Sequence, residues 1–159
     1  MFEVGDKVLY PMHGAGVIEG IEEKEVLGEK SAYYVMTLPF GNMSVLIPVE
    51  TKAEVGLRAV VGTERASNVL DNFGKCSMDE NVSWNKRYRD NMERIRSGDI
   101  DEVADVVFTL MKREHEKGLS TGERKMLISA KQILVSEISL SVDKPCEEIE
   151  STIAEVFKD

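Results

Sequence analysis

The hydrophobic period changes once, near residue 62, and that change constrains this chain more than any other feature. Before it, apolar and β-branched residues come in short runs, separated about every ten residues by glycine, proline or asparagine. Runs of that kind are strands bounded by turns. After it, apolar residues recur at i, i+3 and i+4, the spacing that lines one face of a helix. A chain of 159 residues is long enough for one ordinary domain or two small ones. The switch of period predicts two, a β-module over residues 1–62 and a helical module over residues 63–159.

In the first module, strand candidates fall at residues 7–10, 17–26, 32–38, 43–49 and 57–61. Residues 13–16 (HGAG), 27–30 (LGEK) and 39–42 (PFGN) are expected to turn. Pro48 cannot donate to a ladder, so it marks an edge or a strand end. Five short strands predict a small antiparallel β-barrel of the Tudor or SH3-like kind. In the second module, helices are expected at residues 64–73 and 84–96, from Ile100 to the neighbourhood of Gly118, from the Ser120 cap onward, and after Pro145. Residues 74–83 read as an irregular connection. Asp99 with Glu102, and Ser120 with Glu123, have the spacing of capping boxes. The fold class is α+β, with a compact helical C-terminal domain.

The chain carries a net charge of -9, which by itself argues against nucleic acid, because phosphate neutralisation drives such binding. The charge is uneven. Residues 1–83 hold 7 basic and 13 acidic side chains, residues 84–131 hold 11 and 9, and residues 132–159 hold 2 and 7. The middle block is therefore the one place for a DNA contact. No apolar run reaches the roughly 20 residues of a membrane helix, and the N-terminus alternates like a strand rather than a signal peptide, which points to a cytoplasmic protein without a membrane partner. Two cysteines, Cys76 and Cys146, do not make a disulfide framework. His13 and His115 have no zinc-site spacing, Gly14 and Gly16 lack the residues of a phosphate loop, and no carboxylate pair sits beside a nucleophile. No cofactor, metal, small-molecule substrate or enzymatic activity is expected.

Within the basic block, the single tryptophan, Trp84, follows the candidate cap Ser83 and opens a helix containing Lys86, Arg87 and Arg89. An aromatic ring at a helix start beside cations can stack on or wedge between bases while the cations hold phosphates. Arg124 and Lys125 lie one turn into the helix capped by Ser120, where free N–H groups and the positive end of the helix dipole favour phosphate. Lys112 and Arg113 close a helix, where the dipole alone explains them.

These residues resemble the CarD/CdnL family of bacterial transcription regulators. The opening Val4-Gly5-Asp6-x-Val8-x-Tyr10-Pro11-x-His13-Gly14 is similar to the family's N-terminus. So are Trp84-x-x-Arg87-Tyr88, Ser97-Gly98-Asp99 and the stretch from Lys117 through Ala130 to Glu137 in its helical domain. The resemblance implies an N-terminal Tudor-like domain that binds the RNA polymerase β subunit, similar to the domain of the transcription-repair coupling factor. It implies a helical domain that contacts promoter DNA at the upstream edge of the bubble, without sequence specificity, and stabilises the open complex on the nucleoid. Trp84 would enter the minor groove, with Lys86, Arg87, Arg89, Arg124 and Lys125 near the phosphate backbone. On the polymerase-facing surface, Lys24 keeps a basic residue of the family and Leu46 replaces one. Docking is therefore expected to rely on strand addition along Met43, Ser44, Val45, Leu46 and Ile47. A polymerase-bound protein adaptor without a DNA role, and a sequence-specific repressor, are the alternatives.

Overall fold

In a computed structural model of the chain, residues 2–11, 13–39, 43–49, 57–75 and 83–157 are described. The expected turn at Phe40-Gly41-Asn42, most of the 74–83 connection and Cys76 lie outside them. Five strands come first: β1 (Lys7–Tyr10), β2 (Gly14–Val26), β3 (Glu29–Thr37), β4 (Ser44–Pro48) and β5 (Arg58–Ala59). Five helices follow: α1 (Thr63–Asp71), α2 (Trp84–Arg96), α3 (Ile100–Glu116), α4 (Thr121–Val142) and α5 (Cys146–Ala154), with a closing 3-10 turn at Glu155–Phe157. None of these helices is long and apolar enough to cross a membrane.

The strands pair antiparallel in the order β4-β3-β2-β1-β5. The sheet is open, which corrects the expectation of a closed barrel. β5 has two residues and pairs with β1 alone, while β4 pairs with β3 alone, so neither edge meets the other among the described residues. Each face of the open sheet has its own cover: the β-module's own side chains on one, the helices on the other. One face of the sheet carries Val8, Ile18, Tyr34, Met36 and Ile47 into a small core of its own. Leu9 and Ala15 point the other way and join the core of the helices.

The β2–β3 turn is tight because Leu27 and Gly28 both adopt positive φ, 54° and 82°, as a two-residue hairpin loop requires. The expected glycine turn over residues 13–16 is displaced. The chain turns just before Gly14, and Gly14, Ala15 and Gly16 are already strand, paired with Tyr10, Leu9 and Val8. Gly16 is needed for room: a Cβ there would sit 2.6 Å from the Thr37 carbonyl oxygen and 2.7 Å from Met36 Cγ.

The helices start where their caps predict. Ser83 accepts from the Lys86 N–H, Asp99 from those of Asp101 and Glu102, and Ser120 from that of Glu123. α4 is the spine of the molecule, packing against α1, α3, α5 and the β2 strand. All residues from Ile133 to Ser139 are consequently buried, not only the apolar stripe. Four of them or their neighbours bind the β-module directly. Ser136 Oγ accepts from the Ala15 N–H at 2.9 Å, and the Leu140 carbonyl accepts from Lys7 Nζ at 2.8 Å. Ser141 donates to the Val61 carbonyl at 2.7 Å. Glu137, 1% exposed, takes both forks of the Arg58 guanidinium at 2.6 and 2.9 Å and the Val61 N–H at 3.0 Å. Arg58 also donates to the Gly98 carbonyl at the α2–α3 corner. Sheet edge, spine helix and the end of α2 therefore meet on one side chain.

Candidate nucleic-acid interface

Trp84 opens α2 next to the start of α4, and the residue is 44% exposed. It stacks on Tyr88, one turn on, with ring centroids 5.1 Å apart and planes 20° apart. The indole Nε1–H donates to Ser120 Oγ at 3.2 Å. Gly122 lies beneath both rings, and a Cβ at that position would come within 3.7 Å of Tyr88 Cε2 and 3.8 Å of Trp84 Cζ2. The ring is thus seated against the first turn of α4 and still faces solvent.

The cations around it differ in availability. Arg89 and Lys125 are exposed and make no hydrogen bond or ion pair among the described residues. Lys86 pairs with Asp90 at 2.9 Å, and its hydrogen bond, followed by the charges of Lys86, Arg89 and Arg94, holds the Asp90 carboxyl below its usual range. Arg124 reaches Glu114 at 3.3 Å, an exposed contact that a phosphate could replace at small cost. Arg87, expected beside the DNA backbone, points inward instead. It is 9% exposed and donates through Nε and Nη2 to the two Glu123 oxygens, at 2.9 and 3.2 Å. A charge held between α2 and α4 against a buried carboxylate is a structural tie and is not free for phosphate.

Glu123 departs from the role its capping-box position predicts. Its backbone N–H binds Ser120 as expected, but its carboxylate turns to Arg87. Burial pushes the Glu123 carboxyl up. The hydrogen bond and charge of Arg87, with smaller contributions from Arg113 and the Trp84 indole, outweigh burial and hold it below the usual carboxylate range. Tyr88, Ser120, Gly122 and Glu123 are the parts of this site that candidate selection by charge missed. The capping box marked two of them; nothing in the sequence joins residue 87 to residue 123.

The residues expected to face polymerase lie at the opposite edge of the sheet order. β4 is an edge strand whose outer side pairs with no described strand. Ile47 is fully buried and Val45 packs on the same core, so these two offer only backbone there. Ser44 and Leu46 point outward, and Met43 just before the strand is 55% exposed. Cross-strand register puts Leu46 in one row with Val35 and Gly20, and Pro48 in a row with Tyr33 and Glu22. Lys24, paired with Ser31, falls on that same outer face. Lys24 and Leu46 therefore share a surface.

Two family models cover nearly all of the chain. Residues 2–61 match the CarD-like/TRCF RID domain, and residues 68–154 match the CarD C-terminal domain. This chain belongs to the CarD family. A Bacillus subtilis (strain 168) protein named "Putative transcription factor YdeB" is 41% identical over 140 residues, which is 88% of this chain and 92% of that protein. For a CarD family member the two modules have separate surfaces, an open sheet edge in one and an aromatic ring with cations in the other.

Proposed function

We propose that this protein is a transcription factor that docks on the RNA polymerase β subunit through the β4 edge and the outer face of its sheet, and stabilises the open promoter complex through Trp84. The observation that carries the reading is the half-exposed indole at the start of α2, seated against the first turn of α4 that carries Arg124 and Lys125, with Lys86 and Arg89 further along its own helix. Main-chain groups of β4 supply strand addition, and Leu46 with its apolar neighbours supplies contact area in place of a charge.

A protein of net charge -9 binds free DNA weakly. Docking on polymerase raises the effective concentration of the helical unit at the promoter to the order of millimolar, so a weak contact becomes occupied. The cations hold phosphates and set register, and the ring favours an unstacked step in the minor groove. Because the ring prefers the opened geometry, it shifts the closed-to-open equilibrium by its differential affinity. Base–aromatic stacking of about 1–3 kcal/mol corresponds to a shift of about five- to more than a hundredfold.

The test is Trp84→Ala in an open-complex lifetime assay, with polymerase pull-down as the control. Retained pull-down with most of the lifetime effect lost supports the reading; an unchanged lifetime removes it. A second reading, a protein adaptor, is favoured by an apolar groove of about 200 Å³ between α2 and α4, lined by Tyr88, Met92, Ile95, Met126 and Ile133 with Lys125 at its rim. Under that reading Trp84→Ala is silent, and Met92→Glu abolishes the effect.

A further inference from the structure

We infer that Tyr88 and Ser120 are positioning residues that hold the Trp84 ring in a single orientation for the duplex, with the buried Arg87–Glu123 pair as their foundation. The inference rests on the reading that Trp84 meets DNA, and deepens it. A tryptophan on an exposed helix start has two rotatable bonds and no reason of its own to keep one rotamer. Here each degree of freedom has a constraint. The stack on Tyr88 fixes the plane of the ring. The Nε1–H bond to Ser120 fixes its rotation within that plane. Gly122 marks the floor on which both rings rest, since a Cβ there would touch each of them at ordinary contact distance.

Ser120 is itself held. Its hydroxyl accepts from the Trp84 indole and from the Glu123 N–H, both at 3.2 Å, and lies 3.5 Å from Glu123 Oε1, towards which it donates. One donor and two acceptor sites are all that a serine hydroxyl has. Glu123 is in turn fixed by the two hydrogen bonds from Arg87. A chain of polar contacts thus runs from Arg87, on the same helix as Trp84 and one turn inward, through α4 and back to the indole. It closes a loop between α2 and α4.

The arrangement decides which part of the ring is offered. One face is covered by Tyr88, and the Nε1–Cζ2 edge lies against Ser120 and Gly122. What remains open is the part of the ring turned away from Tyr88, Ser120 and Gly122, on a residue that is 44% exposed. The indole N–H is the only donor on the ring, and it is engaged, so the ring has no hydrogen bond to give a base. It acts by shape and stacking alone. Holding the side chain in advance removes the ordering cost that a free rotor would meet on insertion, an effect of about two- to tenfold in the open-complex equilibrium.

Trp84 is the single tryptophan, so its fluorescence reports the ring without ambiguity. The test compares Tyr88→Leu, Tyr88→Phe and Ser120→Gly in the full-length protein, the last because glycine keeps most N-cap stability while removing the acceptor. Trp anisotropy of the free protein and open-complex lifetime with polymerase are read on the same samples, with thermal melts confirming folding. The expected result is faster ring motion and a two- to tenfold loss of the lifetime effect in Tyr88→Leu and Ser120→Gly, with both restored in Tyr88→Phe. Unchanged anisotropy in the two variants overturns the inference whatever the promoter does. Faster motion with an unchanged lifetime, while Trp84→Ala still shortens it, also overturns it. An unchanged lifetime in Trp84→Ala removes the DNA reading and with it the functional half, and anisotropy still decides whether the ring is held.

Discussion

Replacing Arg58 by methionine should destabilise the protein strongly for a change at a partly exposed position, and should uncouple polymerase binding from promoter stabilisation. The substitution keeps most of the aliphatic stem and removes the guanidinium. Glu137 then keeps only the Val61 N–H, with its carboxylate 2% exposed inside α4. The Gly98 carbonyl at the end of α2 loses both its Arg58 bonds. Removing one partner of a buried ion pair typically costs 3–5 kcal/mol. Because the Arg58 side chain is 31% exposed and Glu137 retains one donor, about 3 kcal/mol is expected, at the lower end. For a chain of this size that lowers the melting temperature by about 6–12 °C. The assay is thermal denaturation followed by circular dichroism, with Arg58→Met/Glu137→Leu as the partner variant. Replacing both charges by apolar groups should recover most of the loss, since the penalty lies in the abandoned carboxylate. At temperatures where the single variant is folded, it should still be retained on polymerase through β4 while the lifetime effect falls, because Arg58 joins the sheet to the helix end that leads to α3 and α4. A single variant melting within about 2 °C of the parent would refute the argument that this pair joins the modules.

Glu123 sets a pH dependence. Its folded carboxyl is held below the unfolded value of 4.5, so its contribution is fully present above that value and is lost as pH falls through the lowered one. Trp84 anisotropy should be flat from neutral pH down to the ordinary carboxylate range and drop only below it, and a drop between pH 6 and 7 would contradict the assignment. Gly16→Ala should destabilise by about 2 kcal/mol, because its Cβ meets strand backbone that cannot retreat, and a melt indistinguishable from the parent would refute the close approach. Lys125→Ala should weaken DNA engagement of the polymerase-bound factor and reduce the slope of log affinity against log salt by about 1. An unchanged slope would take Lys125 off the phosphate backbone.

The order of elements was written in the sequence. The caps Ser83, Asp99 and Ser120 fixed three helix starts to the residue, because capping is a contact between a side chain and the backbone two or three positions on. Period two against period 3.6 separated strands from helices for the same local reason. Trp84 stood out as a candidate by its place beside a cap and among cations. What only the tertiary structure decided is everything that depends on long separations in the chain. The edge strands β4 and β5 stay apart, and α4 packs on the face of the sheet that carries Leu9 and Ala15. Arg87 and Glu123, 36 residues apart, become a buried tie rather than two solvated charges. Arg58 and Glu137, 79 residues apart, join the two modules. A pattern along the chain can say that a helix has a polar side; it cannot say that the polar side of α4 will be buried against a sheet, since burial of a charge is settled by the partner that meets it there.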